Sequence, residues 1–400
     1  MAVAVSPALI GRDELGERFL LQVNYEQKTS RQDFKTSRSR IVTFRRDGPV
    51  LHMLDLSDPR DSAAPHILAT IPIRGESHSS IEIDLNDGFD TVYLEEDRTG
   101  EDYYGRIGKR DDTRFRLLGR KVKSISRHGE TLVFDQEATT EDGESLVVHY
   151  YLSRYRPSRE FQPFEMENLR RFGFYETYPQ WRAGRWVLFA MKFNSHEPIV
   201  FALSSAIPES RRAAVRDGVL YWNRALRRTV LQVVDAPAGV RAPSPDFNVI
   251  QWATSGEYAS TSYIQSDPLT GQILHAHVFL LPETMMDGDL EQQNDHLRYI
   301  VAHEIGHALG LRHNFAAGDA TTVMDYYKLP QILTIGRKIR TRAPALAYDA
   351  AVIQHVYLGT PLEADTLPAF CTDSQRGCLP FRSTVKETDG MRGESGDTSP

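Results

Sequence analysis

The stretch DHLRYIVAHEIGHALGLRH, residues 295–313, combines a helical pattern of apolar residues with closely spaced histidines. Its apolar residues recur every three or four positions, which predicts an amphipathic helix from near Asp295 to Gly310. The stripe expected to face the core comprises Leu297, Ile300, Val301, Ile305 and Leu309. Because an α-helix turns by about 100° per residue, His303 and His307 lie about 40° apart on one face and can reach one ion.

A third histidine follows the predicted end of this helix. Gly310 comes one turn after His307 and can take the positive φ that ends a helix, so the chain can turn back and bring His313 to the same ion. Three protein ligands leave one position of a tetrahedral zinc ion open for water, which is typical of a catalytic site. The sequence therefore predicts one catalytic Zn²⁺ ion bound by His303, His307 and His313.

Glu304 follows His303 directly and so does not lie on the line of the two helical histidines. Zinc lowers the pKa of its water from about 15.7 to about 7, and a carboxylate nearby can take the proton as the water attacks a carbonyl carbon. We therefore interpret Glu304 as the general base and not as a ligand. A single histidine is more often an ordinary polar residue, but the joint spacing on a well-patterned helix reverses that expectation.

The segment HEIGHALGLRH (303–313) resembles the motif HExxHxxGxxH of the metzincin clan of zinc metallopeptidases at every fixed position. Members of this clan carry a methionine turn beneath the metal, and Met324 matches that methionine. In several metzincin families a tyrosine two places later lies beside the zinc. The resemblance therefore implies that Tyr326 binds the metal loosely or stabilises the oxyanion.

Other segments resemble clan elements in the same order along the chain. Residues 217–223 look like the first helix, and 267–271 look like the hairpin entering an edge strand, ILHAHVFLL (273–281), that aligns substrate. Residues 348–353 resemble the C-terminal helix. More narrowly, the chain is similar to bacterial zinc-dependent metzincins that carry an uncharacterised β-rich domain in front, with only the architecture matching over 1–160. The resemblance implies a zinc endopeptidase whose partner is a protein or peptide substrate.

The pattern of elements predicts an α+β fold in three parts. Short apolar runs separated by turn signals indicate a mainly β domain at 1–160. Alternating strands and helices then indicate a metzincin-like domain at 161–382, with a mixed twisted sheet, the active-site helix and the Met-turn. Further helices are predicted at 209–228 and 343–359. Residues 383–400 carry little to bury and are expected to form a disordered tail.

The segment 329–346, between the Met-turn and the last helix, is predicted to be a loop that shapes the substrate pocket. It contains four basic residues: Arg337, Lys338, Arg340 and Arg342. They hint weakly at acidic substrate positions, although a solvated loop is the favoured interpretation.

Composition excludes several classes of function. The chain has 400 residues, of which 25% are charged and 40% hydrophobic, so it is long enough to bury cores without metal support. With 54 acidic and 47 basic side chains the net charge is −7, which does not favour nucleic acid as a partner. No apolar run approaches 18 residues, so no membrane span is expected. The beginning of the chain does not resemble a signal peptide, whereas the metzincin resemblance favours export.

The two cysteines, Cys371 and Cys378, lie close together in a segment rich in turn formers. A local disulfide and two free thiols are both compatible with this spacing. The resemblance to a family that is normally exported favours the disulfide.

Two features of the sequence allow an alternative interpretation. Asp84, Asn86, Gly88 and Asp90 superficially resemble a calcium loop, but the glycine stands one place early, so a hairpin turn is favoured and Ca²⁺ is not supported. For the whole chain, the alternatives to a peptidase are a non-catalytic zinc-containing binding or adhesion module and a zinc hydrolase acting on a non-peptide bond.

Overall fold

The computed structural model describes residues 8–28, 32–37, 39–57, 65–94, 113–166, 173–177, 179–253, 260–281, 288–315, 321–362 and 370–372. The predicted tail at 383–400 lies outside these residues, as does Cys378.

Ten strands among the described residues form an antiparallel sheet in the N-terminal part. The strands of this part are β1 (Ala8–Gly11), β2 (Phe19–Lys28), β3 (Gln32–Thr36), β4 (Arg40–Asp47), β5 (Val50–Asp55), β6 (His66–Glu76), β7 (Ser80–Ile83), β8 (Thr91–Leu94), β9 (Thr113–Arg116), β10 (Leu118–His128), β11 (Thr131–Thr139) and β12 (Ser145–Arg154). The order in the sheet is β1-β7-β6-β5-β4-β2-β12-β11-β10, with β3 beside β2, while β8 and β9 pair separately. The predicted β-rich character of this part is confirmed.

This sheet curls around an apolar interior. The Arg127 guanidinium on β10 donates a hydrogen bond to the Leu9 carbonyl on β1 at 3.2 Å, so the two outer strands approach each other. Alternate residues along the strands, such as Phe134 and Val148, are fully buried inside. The prediction of a hairpin turn at 84–90 is wrong. The segment instead begins with the short helix α1 (Leu85–Gly88), which Asp84 caps by accepting a hydrogen bond from the Asn86 amide.

The C-terminal part contains a mixed sheet. Its strands are β13 (Phe164–Glu165), β14 (Gln180–Arg182), β15 (Arg185–Val187), β16 (Phe189–Ala190), β17 (Lys192–Phe193), β18 (Ile199–Leu203), β19 (Leu231–Asp235), β20 (Asn248–Trp252), β21 (Thr261–Ser266) and β22 (Gln272–Leu280). Strands β19, β18, β20 and β22 are parallel neighbours in that order, β17 also runs parallel to β22, and β21 pairs antiparallel with β22. Strands β13 and β16, and β14 and β15, form separate pairs.

The edge strand predicted from sequence is wrong. The run ILHAHVFLL (273–281) falls largely on β22, which lies between β20 and β21, and its last residues are almost entirely buried. A nearly continuous apolar run is typical of such an interior strand. Among the described residues, the edge strand next to β22 is β21, whose Thr261, Ser262 and Gln265 are more polar.

Four longer helices accompany this sheet: α2 (Glu209–Leu226), α3 (Leu290–Ala308), α4 (Leu329–Arg340) and α5 (Ala347–Leu358). The helices predicted at 209–228 and 343–359 are confirmed with slightly shorter bounds. The helix bearing the histidines starts five residues before the predicted Asp295, because Asp289 and Gln292 form a reciprocal capping box at its N-terminus. None of the described helices is long and apolar enough to span a membrane.

The predicted loop at 329–346 is wrong over most of its length, because α4 occupies Leu329–Arg340. Ile335 and Ile339 are buried, and Gly336 lies so close to α3 that an added Cβ would stand 1.9 Å from the Asp295 carbonyl oxygen. The Arg340 guanidinium pairs with the Asp295 carboxylate at 3.0 Å. This close packing of two helices was not visible in the local sequence pattern.

Two separate apolar cores support the two parts of the chain. One draws on buried residues between 8 and 152, the other on buried residues between 166 and 357. In the second core, the Trp222 indole of α2 donates to the Ala302 carbonyl of α3 at 2.8 Å and so fixes the helix that carries the histidines. The exact division into 1–160 and 161–382 stays a prediction.

Helix α3 ends in the turn that the sequence predicted. Gly310 has φ of +101°, its amide donates to the His307 carbonyl at 2.8 Å, and the Leu311 amide donates to the Gly306 carbonyl at 3.0 Å. This pair of hydrogen bonds is the Schellman pattern of helix termination. A Cβ at Gly310 would lie 2.0 Å from the Met191 carbonyl oxygen, so only glycine fits.

We predict that Gly310→Ala lowers the free energy of unfolding by more than about 2 kcal/mol, since both the positive φ and the backbone contact oppose a side chain. Thermal and denaturant unfolding measure this. Gly359→Ala is the matched control, because Gly359 also has a positive φ of +69° but nothing within 4 Å of an added Cβ. We expect it to cost only about 1 kcal/mol. Equal losses in the two variants would contradict the packing argument.

His275 and His277 of β22 lie on the face of the sheet that points away from the helices. His277 is 1% exposed, and neither of its ring nitrogens has a hydrogen-bond partner among the described residues. Burial, with a smaller contribution from the neighbouring His275, lowers the pKa of His277 to about 3. Burial lowers the pKa of His275 to about 4, while Asp246 opposes that shift. Both imidazoles are therefore neutral near pH 7.

We predict that His277→Leu reduces the loss of stability on acidification. At a pH between 6.5, the pKa of the unfolded state, and about 3, the pKa of the folded state, His277 is protonated in the unfolded chain but neutral in the folded chain. Stability should therefore fall as the pH drops, by about 2 kcal/mol from pH 7 to pH 5 for this residue. The measurement compares urea unfolding at both pH values with chelator present. An unchanged pH dependence in His277→Leu would contradict the prediction, and His128→Asn, at an exposed position, is the control.

Candidate metal centre

The three predicted histidine ligands converge. Their Nε2 atoms form a triangle, with 3.1 Å between His303 and His307, 3.1 Å between His307 and His313, and 3.2 Å between His303 and His313. Three nitrogens at this spacing, each about 2.0–2.1 Å from one ion, would subtend angles of about 100° at it, close to the tetrahedral geometry of zinc. Among the described residues they are the one group of this kind that could hold a metal ion.

Backbone carbonyls orient two of these rings. The His303 Nδ1 lies 2.7 Å from the Val323 carbonyl oxygen, and the His307 Nδ1 lies 2.7 Å from the Leu311 carbonyl oxygen. A carbonyl oxygen can only accept, so each Nδ1 carries the proton and donates it. Each Nε2 is then left with the lone pair that a metal requires. Burial, together with the other two histidines, holds the pKa of His307 well below its usual value, which favours the neutral ligand form.

A buried carboxylate holds the segment that orients His303. Asp349 on α5 is fully buried and accepts hydrogen bonds from the Thr322 hydroxyl, the Tyr221 hydroxyl and, at 3.0 Å, the Val323 amide. The carbonyl of the same Val323 accepts from His303. Burial raises the pKa of Asp349 to about 6, while these hydrogen bonds lower it. Helices α2 and α5 are thus linked to the predicted ligand His303 through one carboxyl group.

Met324 lies directly beneath the helix of the histidines. It is fully buried, and an added Cβ at Gly306 would stand 2.2 Å from its Sδ and 2.8 Å from Trp222. The glycine inside the motif therefore makes room for the methionine. The Asn314 amide, next to His313, donates to the Met324 carbonyl at 2.8 Å and ties the third ligand to this turn.

Glu304 is 6% exposed and lines the cavity that opens onto the three histidines. Burial raises the pKa of Glu304 to about 8, and the nearby Ser262 hydroxyl lowers it. That hydroxyl makes no well-aligned hydrogen bond among the described residues. A buried carboxylate with a raised pKa accepts a proton readily, which is the property a general base needs.

Tyr326 lies beside two of the three histidines and lines the cavity. It is 46% exposed, and its ring centroid lies 4.7 Å from that of His313 and 5.7 Å from that of His303. Its backbone amide donates to the Asp325 carboxylate at 2.7 Å. The structure therefore brings together all six residues singled out from sequence: His303, Glu304, His307, His313, Met324 and Tyr326.

The cavity over the centre has a volume of about 350 Å³. Helix α3 forms one wall with His296, Tyr299 and Ile300 in addition to the motif residues. The start of the edge strand β21 forms the opposite wall with Ser260, Thr261 and Ser262. These wall residues were not identified from sequence, because no spacing relates β21 to α3 before the sheet is assembled.

Tyr175 was also missed by sequence reasoning, although it lines the same cavity. Its ring centroid lies 6.2 Å from that of His307. It stands 128 positions before the first histidine of the motif, and nothing in its local sequence marks it.

Cys371 is disulfide-bonded, and the chain contains one other cysteine. The Cys371 carbonyl accepts from the Phe315 amide at 2.7 Å, and its amide donates to the Asn314 side chain at 3.2 Å. This contact places the cysteine beside the residues that directly follow the third ligand.

Comparison with known proteins supports the resemblance seen in the motif. Residues 286–387 match the model of a family described as Met-zincin, and they include the three histidines, Glu304 and the turn of Met324. A search of curated proteins gave no match. The family suggests a zinc metallopeptidase, and the three histidines are a group that could hold the ion. The mixture of helices and strands is compatible with the predicted α+β class. Residues 286–387 thus match a metzincin-type family, and the convergence of the three histidines agrees with this match.

Proposed function

We propose that this protein is a zinc-dependent endopeptidase whose catalytic domain spans residues 161–382 and has the metzincin arrangement. The observation that carries the proposal is the convergence of three Nε2 atoms within 3.2 Å of one another at a cavity that also holds a buried carboxylate, Glu304. A structural site has no need of an open cavity or of that carboxylate.

When bound by the three histidines, zinc would supply a Lewis acid and a water of lowered pKa. Glu304 is the residue that takes the proton as the nucleophile attacks the peptide carbonyl, and it can return this proton to the leaving amine. Its burial supports this role, since the same desolvation that raises its pKa strengthens its attraction for a proton.

Tyr326 is proposed to donate a hydrogen bond to the oxyanion that develops on the attacked carbonyl. Its ring lies against two ligand histidines and it lines the cavity, so its side chain reaches the space where that oxygen would form. Half of the side chain is exposed, which leaves room for a substrate beside it.

An extended peptide fits the cavity better than a compact substrate. Among the described strands, β21 pairs through its backbone with β22 alone, and its first residues form a wall of the cavity. An edge strand offers backbone donors and acceptors that an extended peptide can pair with. This observation favours peptide-bond hydrolysis over the hydrolysis of a non-peptide bond.

We predict that Glu304→Gln lowers kcat for peptide hydrolysis by at least about 10², because general base catalysis contributes roughly that much or more. Bound zinc should be unchanged, since the three ligands remain. Hydrolysis of casein and zinc analysis of the same sample measure both. Glu291→Gln, at an exposed position on the same helix, is the control. Full activity in Glu304→Gln would refute the proposed base, and stoichiometric zinc without any turnover in the wild type would favour the binding-module alternative.

We further predict that removing the metal with a chelator abolishes hydrolysis but leaves the fold intact. The C-terminal core of buried side chains forms without a metal ion, so circular dichroism and cooperative thermal unfolding should persist. Added Zn²⁺ should restore hydrolysis. Activity that survives complete removal of the metal would contradict the proposal, and loss of cooperative unfolding would show that the ion also supports the fold.

A further inference from the structure

Residues 173–177, here called the strap, run beside the turn that carries the third histidine. The Tyr175 amide donates to the Gly310 carbonyl at 2.7 Å, the Arg312 amide donates to the Gly173 carbonyl at 3.2 Å, and Phe174 forms a β-bridge with Leu311. The strap precedes the segment 286–387 by more than a hundred residues, so only the tertiary structure brings it to the metal centre.

The Arg312 side chain holds the strap in place through contacts with Phe174, Tyr175 and Glu176. It is 7% exposed, its Nε donates to the Phe174 carbonyl at 3.2 Å, and its Nη2 lies 3.3 Å from the Glu176 carboxylate, which is also buried. Its guanidinium lies 4.7 Å from the centroid of the Tyr175 ring. On the other side the Tyr175 carbonyl accepts from the Met191 amide at 2.7 Å. Tyr175 is therefore held on three sides, and its position is fixed before any substrate arrives.

Tyr175 and Tyr326 approach different ligands of the same centre. The Tyr326 ring lies against His303 and His313, whereas the Tyr175 ring lies near His307. Both tyrosines line the cavity that contains Glu304. A substrate seated over the three histidines would therefore meet a phenol ring on either side.

We propose that Tyr175 is a substrate-binding residue, whose hydroxyl donates a hydrogen bond to the peptide backbone on the His307 side of the cavity. The inference rests on the proposed peptidase function. The Arg312 guanidinium, 4.7 Å from the ring centroid, is attracted to the ring face and so helps to hold the phenol in place.

Tyr175 is not the residue that orients the His307 ring. The His307 Nδ1 already donates to the Leu311 carbonyl at 2.7 Å, whereas the Tyr175 hydroxyl is 3.5 Å from that nitrogen, at the limit of a hydrogen bond. Removing the hydroxyl should therefore leave His307 and the bound ion in place.

The test compares two probes on zinc-loaded protein. Acetohydroxamate reaches only the metal, whereas a fluorescein-labelled short peptide hydroxamate reaches the metal and the cavity walls. We expect Tyr175→Phe to weaken binding of the peptide hydroxamate by roughly three- to tenfold, the effect of one lost hydrogen bond. Binding of acetohydroxamate and the zinc content should stay within about twofold. In peptide hydrolysis the same variant should raise KM by a similar factor and change kcat less.

The control is Tyr263→Phe, because Tyr263 packs in a small cluster with Val249 and Phe279 and does not line the cavity. Unchanged binding of the peptide hydroxamate in Tyr175→Phe would overturn the inference. An equal loss for both probes would also overturn it, since Tyr175 would then act through the metal ligand. Failure of the wild type to bind the peptide hydroxamate at all, with acetohydroxamate still bound, would instead count against the proposed peptidase function.

Discussion

Three imidazole nitrogens within 3.2 Å of one another are the constraint around which the C-terminal part of this chain is organised. Side chains with this spacing stay in place only if their rings cannot rotate, and two of the rings are held by carbonyl groups of Val323 and Leu311. Those carbonyls are in turn fixed by Asp349 and by the Schellman turn at Gly310. Elements distant in sequence therefore act together to orient the lone pairs of the three Nε2 atoms.

Two buried carboxyl groups near the three histidines differ in their surroundings. Glu304 and Asp349 are both buried carboxyl groups with raised pKa values, at about 8 and about 6. Asp349 is surrounded by three hydrogen-bond donors, as a structural carboxyl group usually is. Glu304 instead faces a cavity, with the Ser262 hydroxyl nearby. A buried carboxyl group thus stabilises the structure at Asp349, and in the proposed mechanism it transfers a proton at Glu304.

Local patterns predicted much of the site. The 3.6-residue period and the glycine at 310 gave the helix, its end and the approach of His313, because these depend on interactions between residues a few positions apart. The same logic failed where the partner is distant. The loop at 329–346 was predicted from the metzincin resemblance, whereas Leu329–Arg340 forms α4, whose Gly336 packs against α3. The run 273–281 looked like an edge strand, although its position in the sheet is decided by which strands flank it.

The sequence by itself predicted that the three histidines converge and that Glu304 stands beside them, since a helix converts spacing directly into direction, and the metzincin resemblance implied Met324 beneath them. The sequence also determined that a β-rich part precedes an α+β part. Only the tertiary structure decided what surrounds the centre: β21 as the cavity wall, α4 beside α3, and Tyr175 on a strap locked by Arg312. The physical reason is that these contacts join residues from separate elements. The relative positions of those elements follow from burial of the whole core, and no repeat in the local sequence encodes them.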